Sequence, residues 1–86
     1  MSELLAEADE AQARRTALIE ELAETRKKRG ISQMELEKMS GVKQPVIARM
    51  ETGATTPNLS TVLKLLVPFG KTLYIGDLNR DDQTSL

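Results

Sequence analysis

The 86-residue sequence has no cysteine, no histidine and no tryptophan, and its aromatic content is one phenylalanine and one tyrosine. Each absence removes a class of function. Without cysteine there is no disulfide and no thiolate nucleophile, and nothing points to an oxidising compartment. Without histidine the commonest general base and the commonest zinc ligand are both missing. The remaining carboxylates, lysines and hydroxyls fall in no catalytic or metal-ligating spacing, so neither an enzyme nor a metal- or cofactor-binding protein is expected. No apolar run approaches the roughly 20 residues needed to span a bilayer, and the N-terminus is acidic where a secretory signal is basic. A soluble, cytoplasmic protein with no membrane partner is the expectation. With so few aromatics, Leu, Ile, Val, Met and Ala have to fill the core. A single small domain gains burial by oligomerising, so a homodimer is expected.

The net charge of −1 hides a strong polarity. Residues 1–25 carry seven acids (Glu3, Glu7, Asp9, Glu10, Glu20, Glu21, Glu24) against two arginines, a balance of −5. Residues 26–71 carry nine bases against three acids, a balance of +6, and residues 72–86 carry −2. A basic middle between acidic ends is either uneven solvated surface or the footprint of an anionic partner.

Glycine and proline are absent from residues 2–29. Leu4, Ala8, Ala11, Arg15, Leu18 and Leu22 alternate at spacings of four and three, one face of a helix. Ala and Arg weaken the stripe in the middle, so it predicts either one long helix or two broken near Glu10–Ala13, with Leu18, Ile19 and Leu22 inward. Arg26, Lys27, Lys28 and Arg29 match the dipole of the last turn, and Gly30 ends it. Ser32 and Glu35 form a capping box at the head of a second helix with Leu36 and Met39 inward. Ser40-Gly41 closes it. A third helix is predicted from about Gln44 to Glu51, with Pro45 in the first turn and Val46, Ile47 and Met50 apolar. Asn58 caps a fourth, whose apolar positions are Leu59, Val62, Leu63, Leu65 and Leu66 and which Pro68 ends. The expected core includes Leu36, Val42, Ile47, Met50, Leu59, Val62, Leu63 and Leu66, with Met34 and Met39 as packing residues. Residues 71–76 are rich in β-formers. A lone strand leaves its backbone groups unpaired, and a twofold copy is the simplest partner, so Thr72, Leu73, Tyr74 and Ile75 are predicted to dimerise.

The expected organisation is an acidic helical extension (1–15), a helix-turn-helix domain (16–70), a dimerisation strand (71–78) and a disordered tail (79–86). The stretch from Ser32 to Glu51 is a short helix, a glycine-containing turn and a second short helix, the unit whose second helix enters the major groove. The spaced motifs Ser32-Gln33-x-Glu35-Leu36, Gly41-Val42-x-Gln44, Ile47, Met50-Glu51-x-Gly53 and Pro57-x-Leu59 resemble the lambda-repressor-like, or Xre, helix-turn-helix domains over about residues 16–70. The run from Gly41 to Gly53, and Gly70-Lys71-Thr72-Leu73 before a hydrophobic strand, resemble the HigA antitoxins. The fold class implied is an all-α bundle of four or five helices with one C-terminal strand pairing across a dimer. Two recognition helices would then sit about 34 Å apart over a pseudo-palindromic operator. The function implied is operon repression together with neutralisation of a ribonuclease toxin. A prophage or mobile-element repressor with no toxin is the alternative.

The resemblance and the side-chain chemistry agree on Lys43, Gln44, Pro45 and Arg49 as base-reading residues. Gln44 matches the adenine edge, and Lys43 and Arg49 match guanine or a phosphate. For Arg49, a salt bridge to a neighbouring carboxylate is the alternative. Gln33, Arg26, Thr55 and Thr56 are the phosphate candidates. Three positions depart from the family pattern. Lys43 stands where a Ser or Thr N-cap is frequent, Glu37 where a small Ala is common and more exposure is expected, and Ala54 where a base often contacts phosphate. The acidic first helix is either a docking surface for a basic toxin or a solvated helix packing Leu4, Leu5 and Leu18 inward.

Overall fold

A computed structural model describes residues 2–78, with side chains from Asp9 onward. Four α-helices follow one another: α1 (Ser2–Lys28), α2 (Gln33–Ser40), α3 (Gln44–Glu51) and α4 (Leu59–Leu66), the last running into a 3₁₀ turn (Val67–Phe69). Of the two alternatives for residues 2–29, the single long helix is the one that forms, with no break near Glu10–Ala13. α1 is continuous over 27 residues, because nothing in it breaks a helix, and an Arg14–Glu10 ion pair at 3.0 Å staples the i,i+4 rung where the apolar stripe is weakest.

The starts of α2 and α4 follow directly from their sequences. Ser32 Oγ accepts from the Glu35 N–H at 3.0 Å, and the Glu35 carboxylate accepts from the Ser32 N–H at 2.7 Å. Asn58 Oδ1 accepts from the Thr61 N–H at 2.8 Å. α2 stops at Gly41, whose φ of 81° lies in the left-handed region and lets its N–H reach the Glu37 carbonyl at 2.8 Å. α4 stops because Pro68 lacks the donor that would continue it.

Leu22 of α1, Leu36 of α2, Val42 of the turn, Ile47 and Met50 of α3, Val62, Leu65 and Leu66 of α4, and Phe69 form one core. Ile47, Met50 and Leu65 are its fully buried centre. Leu18, Ile19, Ile31 and Val46 pack against its rim. Leu59, expected inside, is 65% exposed, because it occupies the first turn of α4 where the helix has not yet reached its neighbours. Met34 and Met39 are also exposed, at 55% and 49%: an eight-residue helix presents too narrow a face to bury them beside Leu36. Leu63 is only half-buried. Phe69 closes the core beneath Arg29, whose guanidinium carbon lies 5.2 Å from the ring centroid.

Residues 71–78 carry no regular secondary structure, and no strand occurs among the described residues. A strand requires a ladder partner, and the described residues offer none to this segment. Thr72, Leu73, Tyr74 and Ile75 therefore lie open, Tyr74 at 90% exposure. The expected disordered tail and the side chains of Leu4 and Leu5 fall outside the described residues. Among the described residues no helix is long and apolar enough to cross a membrane.

Candidate nucleic-acid interface

α2 and α3 bring Gln33 and Gln44 into contact. Gln33 opens α2 directly after its N-cap, and Gln44 opens α3 directly after Lys43. The Gln44 side-chain amide donates to Gln33 Oε1 at 2.8 Å, and the Gln33 amide donates to Glu51 Oε1 at 2.9 Å. Glu51, at the C-terminal end of α3, also accepts two bonds from Arg26, at 2.8 Å from Nε and 2.9 Å from Nη2. Arg26 Nη1 donates to the Ile31 carbonyl at 2.8 Å. A single chain of polar contacts thus runs from the start of α3 to the end of α1.

The direction of this chain is fixed chemically. Burial disfavours the charged form of Glu51, but the hydrogen bonds from Arg26 and Gln33 and the nearby positive charges outweigh it and hold its carboxyl below the ordinary range. Hydrogen bonding to Glu51 raises the Arg26 guanidinium pKa against its own desolvation. An ionised carboxylate only accepts, so Gln33 must turn its NH₂ toward Glu51 and its oxygen toward Gln44. Among the described residues, Gln44 is left with a free carbonyl oxygen and one free N–H on its side chain.

Arg26 is not available to a phosphate: all three of its guanidinium nitrogens are used inside the chain, and its side chain is 11% exposed. The residue is structural because the fold places it beside a carboxylate 25 positions away, a pairing that local sequence does not encode. Arg49 behaves oppositely. It is exposed and makes no side-chain hydrogen bond or ion pair among the described residues, so the salt-bridge alternative is not realised. Pro45 is exposed in the first turn of α3, and Lys43 is 78% exposed. Thr55 and Thr56 sit apart from these, exposed in the loop after α3 and lining a cleft of about 290 Å³ with Arg15 and Glu20 of α1. Leu73 and Tyr74 border a second groove of about 440 Å³, with Leu18, Glu21 and Thr25 of α1 and Leu66 of α4. Among the described residues no group of acids could hold a metal ion.

Glu37 is the residue that sequence reasoning missed. It is half-buried instead of more exposed, and its Oε1 accepts from the Gln44 backbone N–H at 2.7 Å. Its Oε2 lies 3.9 Å from Lys43 Nζ. Lys43 makes no capping bond of its own. The one available signal was the coincidence of an unusual acid at 37 with an unusual cation at the N-cap.

Comparison with known proteins agrees with this geometry. A helix-turn-helix family profile matches residues 22–75. An uncharacterized helix-turn-helix-type transcriptional regulator of Haemophilus influenzae is 62% identical over 61 residues, which cover 71% of this chain and 62% of that protein; the chain thus matches less than two thirds of its relative's length. A solved structure described as a toxin–antitoxin module from Streptococcus pneumoniae is 53% identical and superposes with a TM-score of 0.66, covering 92% of this chain and 82% of that one. With the capping box, the glycine turn and the paired glutamines all in place, the chain belongs to the Xre-like, lambda-repressor-like family of helix-turn-helix DNA-binding regulators.

Proposed function

We propose that this protein is the non-catalytic, HigA-like antitoxin of a toxin–antitoxin pair, a homodimer that represses its own operon and neutralises a basic ribonuclease toxin in the cytoplasm. The observation that carries the antitoxin reading is the 53% identity over 92% of the chain to a toxin–antitoxin module. The reading surface is Lys43, Gln44, Pro45 and Arg49. The oxygen and N–H left free on Gln44 match the N6 donor and N7 acceptor of adenine, an orientation that Glu51 dictates through Gln33. Lys43 and Arg49 take guanine or phosphate, Pro45 an apolar contact, and Gln33, Thr55 and Thr56 lie toward phosphate.

The toxin is proposed to dock on α1. Residues 11–17 are exposed throughout, as are Asp9, Glu20, Glu21 and Glu24, so the acids of α1 are open to a partner. An acidic surface repels DNA and attracts a basic partner. The dimer is proposed to form through residues 71–78, where Tyr74 and Ile75 are fully open.

Co-expression of the tagged chain with the product of the neighbouring reading frame tests the proposal. A stable complex with a small basic protein that arrests growth when expressed alone supports the antitoxin. A homodimer that binds promoter DNA and retains no neighbour supports the prophage or mobile-element repressor, a reading favoured by the similarity to a transcriptional regulator.

A further inference from the structure

We propose that Glu37 is a positioning residue for DNA recognition: it supplies, from α2, the N-cap that the residue at the head of α3 cannot, and so holds the turn that carries Gln44. The proposal rests on α3 being the helix that meets DNA.

Accounting for the donors at the head of α3 leads to it. A helix start leaves its first N–H groups without intrahelical partners. In α3 the Val46 and Ile47 N–H groups both reach the Lys43 carbonyl, at 2.9 and 3.1 Å. Pro45 has no N–H. The remaining donor is Gln44, and its partner is the Glu37 carboxylate at 2.7 Å. The usual cap comes from the N-cap side chain, but here that residue is Lys43, which has no acceptor and whose charge opposes the helix dipole. Glu37 answers both defects. One oxygen takes the orphan donor, and the other faces the Lys43 ammonium at 3.9 Å.

The charge argument points the same way. A carboxylate beside a surface that binds phosphate works against affinity. Glu37 nevertheless reaches across the turn to the backbone of the reading residue itself. A cap anchored in α2 fixes the angle between α2 and α3, where a cap within α3 would only stabilise α3.

The test uses the full chain, with hydrogen exchange of the Gln44 amide read by NMR and affinity read on a duplex enriched by the wild type from a random-sequence pool. E37A should speed Gln44 exchange about fivefold or more, the size of one lost cap, and should weaken binding about three- to tenfold. E37Q retains an acceptor oxygen and should keep most of the protection. In a K43S background the Gln44 N–H still has Glu37 as its acceptor, so E37A should speed its exchange to a similar extent. Unchanged Gln44 exchange in E37A overturns the proposal, as does faster exchange with unchanged affinity. A wild-type chain that enriches no duplex removes the DNA reading and the positioning role with it, while the exchange data still decide the cap.

Discussion

Gln44 donates to Gln33 across the turn at 2.8 Å, so the residue proposed to read a base is held by one proposed to sit against the backbone of DNA. Two residues linked in this way should not act independently. Q44A is expected to weaken operator binding by about 1–3 kcal/mol per half-site. Q33A should weaken it less, and the double variant should show a coupling of about 0.5 kcal/mol or more in anisotropy titrations. Additive losses would mean that the contact does not survive on DNA.

The Arg26–Glu51 pair ties the C-terminal part of α1 to the end of α3, with both side chains about nine-tenths buried. Removing either partner leaves the other charge buried. R26M or E51A should therefore destabilise the fold by about 3 kcal/mol in urea unfolding, near the lower end for a broken buried pair. A loss within about 0.5 kcal/mol, as for ordinary surface positions, would contradict this account.

The same pair sets an acid limit. The Glu51 carboxyl ionises more readily in the folded chain than in the unfolded one, so the unfolded state binds more protons as pH falls. The stabilisation is complete above the ordinary carboxylate range and is lost as pH drops into and below it, through the folded-state value. Unfolding titrations from pH 7 to pH 3 should show this fall in the wild type. In E51Q it should be smaller, from a lower plateau. An identical slope in both would assign the acid sensitivity to other groups.

Arg49 provides the opposite case, an exposed cation with no partner to lose among the described residues. R49A should leave the urea midpoint within about 0.5 kcal/mol of the wild type. If Arg49 contacts phosphate, the salt dependence of DNA binding should flatten by about one charge per half-site. If it reads guanine, discrimination at one base pair should fall by about 1–3 kcal/mol. Binding unchanged in both respects would remove Arg49 from the interface.

Ile75 and Tyr74 are large side chains with nothing over them among the described residues. If residues 71–78 pair across a twofold axis, I75D should shift the chain to monomer in sedimentation velocity and weaken binding to a two-half-site duplex far more than to a single half-site. A dimer that persists in I75D would place the interface elsewhere.

The legibility of this chain followed the range of each interaction. Ser32 with Glu35, and Asn58 with Thr61, act over three residues, and their caps are visible in the sequence as composition at fixed spacing. The helix-turn-helix was visible as well, because the motif fixes where two short helices begin, but the contact between Gln33 and Gln44 was not, since it spans 11 residues and crosses the turn. Arg26 was misread as a phosphate contact because its partner lies 25 residues away. Glu37 escaped for a related reason, since its bond spans seven residues and crosses a turn. Met39 and Leu59 show a further limit: periodicity marks an apolar face, but in an eight-residue helix it does not say how much of that face a neighbour covers. The strand at 71–78 was inferred from composition, and composition carries no information about a partner outside the chain.

Gly41 separates two ways in which a sequence position can be constrained. Its φ of 81° is one that L-residues avoid, yet a methyl group added to its Cα would meet nothing within 4 Å. The restriction between α2 and α3 is therefore one of handedness and not of volume. G41A should cost about 1 kcal/mol despite the open space, asparagine less than other side chains, and a D-alanine placed there by chemical synthesis little or nothing. The turn that sets α3 against α2 thus discriminates between mirror images while remaining indifferent to size.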